Sequence, residues 1–498
     1  MAASCRRLNC HGCWLIPLHL LLAALVPRAG AGGVLGAEDV DSIAGATSWP
    51  APQASTGRRM PVVHQHGQYS PLADKNGQVA HMEILSTDQR RVENIRRRVS
   101  ETTSGGRVKQ KHGASSPPVQ QQQQLIQSSS ASDSIPANSS TALPASSGSD
   151  LKTGNYVVAI GLGTPSERFT VALDTGSNMA WVQCKPCMEF CHRQAEPLFN
   201  PANSSTYANI PCASPNCSVP GANCSRAGHC VYEIHYRDYS YTQGYYSHDT
   251  LILGHDTIQD FRFGCSSKKT WGLFGWSAGV MGLGRGKNSL TMQAYHRYKG
   301  VFAYCLPADP TGTGFLHFGP GAAPAPGAAN ARQTPMLTNM GPTFYYVALT
   351  GIKVGGHLLP VQGSVFSAGR TLIDSGTVIT RLPPSAYRQL RSAFAADMGV
   401  LGYSKAPSFS VLDTCFNLTG LQGIIPVPTV SLLFRGGATL DVDSSGILYA
   451  VDVSHACLAF AANGKDTDVS IIGSTQQKTY SVLYDVGSKV VGFAPGAC

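Results

Sequence analysis

The pattern of apolar and polar positions changes character about a third of the way along this 498-residue chain. From Gly154 onward, short apolar runs rich in β-branched and aromatic residues, such as NYVVAIGLG, RFTVAL, FYYVALTGIKV and YSVLYDVGSKVVGFA, are broken at close intervals by Gly, Pro, Asn and Ser. That texture predicts many short strands joined by tight turns, an all-β fold. Helical spacing is rare. Its clearest instance is Ser385 to Met398, where Tyr387, Leu390, Phe394 and Met398 recur along one side and Ser385 stands where a cap belongs.

Before Asp150 the pattern fades. Ser-rich stretches, few aromatics and the run Gln120 to Gln124 cannot supply a core, so this part reads as a segment removed or mobile. Ile84 to Val99 differs: Val92, Ile95 and Val99 fall at helical spacing with arginines between them, which predicts one amphipathic basic helix, with a solvated tail as the alternative. Further upstream, Arg6 and Arg7 precede an apolar run from Cys13 to Val26, and Ala29-Gly30-Ala31 offers a small-residue cleavage site. This is the form of a secretory signal over residues 1–31. The run is about 14 residues long, short of the ~20 a helix needs to cross a bilayer, and no membrane partner is expected.

Composition sharpens this picture. An apolar content of 43% with 13% charged residues suits large buried cores, and the length suits two lobes with an appendage. The formal charge of +9 is uneven: Arg90 to Lys111 holds eight Lys/Arg against two acids, and from residue 151 onward 24 basic residues face 19 acidic ones with no basic run. A nucleic-acid partner is therefore not expected. Three of the fifteen cysteines lie in the signal. The remaining twelve, Cys184, Cys187, Cys191, Cys212, Cys217, Cys224, Cys230, Cys265, Cys305, Cys415, Cys457 and Cys498, suit six disulfides in an oxidising compartment, with connectivity open. Asn203 and Asn417 lie in glycosylation sequons, as do Asn138, Asn216 and Asn223.

A long-range repeat carries the chemistry. FTVALDTGS (169–177) and RTLIDSGT (370–377) each end a β-run in Asp-Thr/Ser-Gly-Ser/Thr. Each is followed, roughly a hundred residues on, by two apolar residues and a glycine, Val280-Met281-Gly282 and Ile471-Ile472-Gly473. One such turn is common in β proteins. Two copies with matching flanks imply two similar lobes that bring Asp174 and Asp374 together, each second element packing beside its aspartate strand. Two facing carboxylates cannot both ionise cheaply, so one serves as base and the other as acid toward a shared water. Thr175 and Ser375 inside and Ser177 and Thr377 outside supply hydrogen-bond donors, while Gly176 and Gly376 let the turns approach closely. No metal or cofactor is required.

Rival motifs fail on context. Gly275-Trp276-Ser277-Ala278-Gly279 fits a nucleophile elbow but lies in a β-rich, glycine-broken region. Cys184-x-x-Cys187 is better read as disulfide-forming than as half a zinc site, no H-E-x-x-H occurs, and Gly282 to Lys287 lacks the Ser/Thr of a phosphate loop.

GNYVVAIGLGTP, LDTGSNMAWVQCKPC, FRFGC, AGVMGLGRG, FAYCLP, LIDSGTVITRLPP, LDTCFNL, CLAFA, IIGSTQQ and the ending VGFAPGAC, with the cysteine-rich stretch from Cys184 to Cys230, resemble the pepsin-like aspartic peptidases, specifically their plant nepenthesin-like secreted branch. The resemblance spans about Gly154 to Cys498. It implies a bilobal pepsin-like fold with a cleft between the lobes, catalytic Asp174 and Asp374, and a hairpin flap whose tyrosine, Tyr236, packs near Trp181. The flap departs from the usual Tyr-Gly-Asp-Gly-Ser, reading Tyr236-Arg237-Asp238-Tyr239-Ser240. The implied layout is a signal over 1–31, a propeptide over 32–150, an N-terminal lobe over 151–335 and a C-terminal lobe over 336–498. The expected product is a secreted zymogen that cuts proteins or peptides at acidic pH as a monomer, outside the cell in the apoplast or wall, with the vacuole open, and with its own propeptide as intramolecular inhibitor. The rival reading is a catalytically silent pepsin-fold protein that binds and inhibits cell-wall glycanases; a passive wall protein gives no reason for two hydroxyl-flanked aspartates.

Overall fold

The computed structural model describes residues 81–103, 141–143, 145–147 and 156–498, apart from 236–239, 272–274, 309–311, 324–330, 421–424 and 453. The expected signal, the glutamine run and Asn138 fall outside these residues.

The basic segment is a helix, α1 (His81–Thr103), longer at both ends than its apolar stripe indicated. The body is mostly β. In the N-terminal part, β1 (Tyr156–Leu162), β2 (Glu167–Asp174), β3 (Trp181–Gln183), β4 (Cys230–His235), β5 (Tyr241–Leu253), β6 (Asp256–Trp271) and β7 (Gly279–Gly282) join one sheet in the order β1-β2-β7-β3-β6-β5-β4, extended at its two ends by Ala145–Ser147 and Asn223–Cys224. Six consecutive residues of β2, from Phe169 to Asp174, are buried, because the strand lies between β1 and β7 and is covered on both faces.

Next come β8 (Val301–Cys305), β9 (Phe315–Phe318) and β10 (Arg332–Pro335), then the C-terminal part with β11 (Tyr345–Val347), β12 (Thr371–Ile373), β13 (Thr380–Leu382), β14 (Phe460–Ala462) and β15 (Ser470–Ile472) in a sheet ordered β11-β12-β15-β13-β14. The chain ends in β16 (Ser481–Asp485), which pairs with β8, and β17 (Val490–Ala494), which pairs with β10, while β9 lies on the other side of β8. Together with Thr141–Leu143 they form a six-stranded sheet drawing on both halves of the chain. On it Phe302 stacks against Tyr484 at 4.7 Å between ring centres, and Tyr345 of β11 packs tilted against the same tyrosine at 4.4 Å.

The expected helix is α2 (Pro384–Val400), burying Ala386, Tyr387, Leu390, Phe394 and Met398. Its boundary corrects one expectation. Pro383 occupies the cap position and Pro384 opens the first turn, where its fixed φ suits a helix and its missing N–H costs nothing. Ser385 therefore lies inside the helix, its N–H donating to Asp466 at 2.8 Å.

All twelve cysteines from Cys184 onward are paired, as Cys184–Cys265, Cys187–Cys191, Cys212–Cys224, Cys217–Cys230, Cys305–Cys498 and Cys415–Cys457. Cys184 and Cys187 are thus not partners. No helix among the described residues is long and apolar enough to cross a membrane.

Candidate active site

The repeated elements meet as their spacing predicted. In the first lobe β7 runs parallel to β2 with Gly282 opposite Asp174, and the Leu283 N–H donates to the Asp174 carbonyl at 2.8 Å. In the second, β15 runs parallel to β12 with Ile472 opposite Ile373, and the Asp374 N–H donates to the Ile472 carbonyl at 3.1 Å. Each aspartate thus leaves a buried strand at a turn clamped by its neighbour.

The two turns are laced together by the inner hydroxyl residues. The Ser375 N–H donates to Thr175 Oγ1 at 2.9 Å and the Thr175 N–H donates to Ser375 Oγ at 3.1 Å, while Ser375 Oγ donates onward to the Leu173 carbonyl at 3.0 Å. Both residues are fully buried, so each bond satisfies a backbone donor that water cannot reach. Each aspartate also accepts from the glycine two residues on, Gly176 at 2.9 Å and Gly376 at 3.1 Å. Neither glycine tolerates a side chain: a Cβ on Gly176 would lie 2.7 Å from Asp374 Oδ1, and one on Gly376 would lie 2.7 Å from Asp174 Oδ1. Of the outer hydroxyls, Thr377 Oγ1 donates to Asp374 Oδ2 at 2.5 Å.

Between the carboxylates sits Arg91 of α1. Its Nη2 donates to Asp174 Oδ1 at 2.6 Å and to Asp374 Oδ2 at 2.9 Å, and its Nε donates to Asp374 Oδ2 at 3.1 Å. One nitrogen touches both aspartates, so their facing oxygens can be no further apart than the sum of those two contacts. Burial alone would raise the pKa of Asp174; the Arg91 guanidinium, with the Gly176 N–H, outweighs it and holds the group below the ordinary carboxylate value. The same two carboxylates hold Arg91 firmly protonated against its own desolvation.

The rest of α1 follows the cleft along the second lobe. Ile84 and Leu85 are buried in a cluster with Val378, Ile379 and Leu412, and Val92 and Ile95 in one with Phe344, Tyr346 and Leu372. Asp88 accepts from the Val378 N–H at 2.6 Å and from the fully buried Arg381 at 2.9 Å. Arg98 donates to the Gly176 carbonyl at 3.1 Å and lies over the Phe344 ring. The sequence marked α1 as basic, but nothing in its spacing singled out Arg91, Asp88 or Arg381; only the buried pairing does.

The other candidates divide. Trp181, in β3, is 1% exposed and packs with Tyr232 and Tyr246. β4 and β5 form the expected hairpin, but Tyr236, Arg237, Asp238 and Tyr239, between them in the sequence, lie outside the described residues. Ser277 is fully buried and is followed by strand β7, not by the helix that a nucleophile elbow requires. Asn203 and Asn417 are both exposed, as a glycan would need.

A two-lobed β fold with paired Asp-hydroxyl-Gly turns meeting at their lobe-facing ends defines a pepsin-type protein. The comparisons narrow this: the chain belongs to the plant pepsin-like aspartyl protease family. Family patterns described as "Xylanase inhibitor N-terminal" and "Xylanase inhibitor C-terminal" match residues 156–320 and 344–495. An aspartyl protease family protein of Arabidopsis thaliana is 39% identical over 459 residues, covering 90% of this chain and 89% of that protein. Nepenthesin-2 of Nepenthes gracilis, an aspartic proteinase, is 33% identical over 352 residues, covering 69% and 78%. Two solved structures share the fold: edgp, with a TM-score of 0.58 at 19% identity over 73% of this chain and 96% of that one, and basic 7S globulin from soybean, with 0.56 at 22% over 72% and 96%.

Proposed function

We propose that this chain is the precursor of a secreted aspartic endopeptidase whose catalytic pair is Asp174 and Asp374 and whose inhibitor is its own helix α1. The observation that carries the reading is the single Arg91 guanidinium bound to both aspartates, each of which is almost fully buried and held by donors from its own turn. Two carboxylates this close both ionise only when a cation lies between them. With α1 displaced, the pair holds one proton. The ionised member then takes a proton from a water between them, the water attacks the scissile carbonyl, and the protonated member donates to the carbonyl oxygen as the tetrahedral intermediate forms. Thr377 and the Gly176 and Gly376 N–H groups hold the carboxylates for that exchange, and the Thr175–Ser375 lacing fixes one lobe's turn against the other. Residues 1–31 serve as the export signal, consistent with twelve paired cysteines, and the segment through α1 is the removable inhibitor.

Purified precursor brought to about pH 3 to 5 with a denatured protein should cleave it and process itself, and a transition-state-type peptide inhibitor should block both. Asp174→Asn and Asp374→Asn should each lower cleavage by at least about 10²–10⁴-fold; undiminished cleavage by either variant overturns the assignment. The family description "Xylanase inhibitor" favours a second reading, a pepsin-fold protein that binds cell-wall glycanases. Two intact, hydroxyl-laced aspartates argue for catalysis; tight inhibition of a xylanase by protein that cleaves nothing would establish the rival.

A further inference from the structure

Arg381 is a buried cation that the proposed chemistry does not use. It lies on β13, seven residues beyond Asp374, and its side chain is fully buried. One terminal nitrogen donates to the Ile379 carbonyl of its own strand segment at 2.9 Å; the other donates to Asp88 Oδ2 at 2.9 Å and to Gln89 Oε1 at 3.3 Å, both on α1. Its Nε has no hydrogen-bond partner among the described residues. The only carboxylate ion-paired with it among those residues is therefore supplied by the helix that plugs the cleft. Asp88 is held by more than this charge, since its oxygens also accept from the Val378 N–H at 2.6 Å and the Ile379 N–H at 3.3 Å. A guanidinium and two convergent backbone N–H groups make a receptor for one carboxylate.

Position ties this receptor to the scissile site. Asp88 stands three residues before Arg91 on one helix, so it lies one turn, about 4.5 Å of axial rise, from the guanidinium on the catalytic pair. Leu85 and Val92, one turn to either side of Asp88, are buried in apolar surface of the same lobe. Removal of α1 takes from Arg381 and the two N–H groups the one carboxylate they hold in the precursor.

We infer that Arg381, with the Val378 and Ile379 N–H groups, forms a specificity subsite of the processed enzyme that takes an acidic side chain of the substrate, a few residues from the scissile bond and flanked by apolar positions. Asp88 occupies that subsite in the precursor as a stand-in for the substrate's Asp or Glu. The inference rests on the endopeptidase reading above.

The test uses the acid-processed enzyme and matched fluorogenic peptides in which Glu or Gln is placed in turn at each of four positions on either side of one scissile bond, at about pH 5, where a substrate glutamate is largely ionised. At one position kcat/KM should favour Glu over Gln by about tenfold or more, the usual worth of a hydrogen bond to a charged group, and the ratio should fall toward one in Arg381→Met while Arg381→Lys retains part of it. A ratio near one at every position in the native enzyme, or an undiminished ratio in Arg381→Met, overturns the subsite and leaves the endopeptidase reading intact. If no peptide is cleaved, the endopeptidase reading itself fails, and the subsite as a determinant of cleavage falls with it. A binding measurement covers variants that do not fold: a synthetic peptide of residues 81–103 should bind the processed native protein about tenfold more tightly than its Asp88→Asn form, and equal affinity overturns the proposal.

Discussion

Arg91 and Asp174 make the helix–dyad contact respond to pH in a definite direction. The pKa of Asp174 is depressed when α1 is docked, so the pairing stabilises the docked state above the ordinary carboxylate range and is lost as pH falls through the lowered value. At Asp88 burial pushes the pKa up while the Arg381 charge and the two N–H groups pull it down. Release in acid therefore depends on the dyad end of the helix. Arg91→Gln would leave two buried carboxylates facing each other with no cation between them, and the onset of self-processing should move toward neutral pH by about one unit or more, read as the fraction of precursor converted across a pH series. An onset unchanged from the native precursor would show that Arg91 does not set latency. The lacing between the turns has its own signature. Thr175→Val removes the acceptor of a buried Ser375 N–H with almost no change in shape, and should lower stability by about 1–3 kcal/mol, measured by chemical denaturation.

Helix α1 illustrates how far an element can be read from its pattern. Val92, Ile95 and Val99 recur at helical spacing, and a helix forms; its extra turns at either end are set by contacts the pattern does not contain, such as His81 Nδ1 with the Tyr449 hydroxyl at 2.8 Å. Ile84 and Leu85 are as deeply buried as Val92 and Ile95 of the central stripe, because they pack beside Val378 and Ile379. Leu85→Ala should weaken docking by about 2–5 kcal/mol, seen as faster cleavage within α1 by an added protease at neutral pH, with the body's melting temperature little changed. The short strands Thr141–Leu143 and Ala145–Ser147 show the opposite case. Their sequences, TAL and ASS, have no alternation to detect, and they are strands because the edges of β9 and β1 offer unpaired backbone groups. Processing on the N-terminal side of residue 141 would keep both strands with the enzyme.

The whole molecule is tied at its end. Cys305–Cys498 closes a span of 193 residues and fastens the C-terminus to β8, inside the six-stranded sheet that draws on both halves of the chain. Replacing both cysteines by serine should lower stability by about 2–5 kcal/mol, read from denaturant unfolding of the oxidised variant, because a long loop regains its freedom in the unfolded chain. Across this architecture the two lobes were legible in the repeat, since a β-run ending in Asp-Thr/Ser-Gly and answered a hundred residues later by two apolar residues and a glycine is a local pattern written twice. The same holds for the paired aspartates, the hydroxyl flanks, the even cysteine count and the basic helix: each depends on residue type and short-range spacing. Cysteine pairing, the true start of α2, the strands at 141–147, and the choice of Arg91 for the dyad and Asp88 for Arg381 were not legible. Those depend on which groups from distant parts of the chain are desolvated together. A buried charge finds its partner through three-dimensional proximity, and no spacing along the chain records that distance.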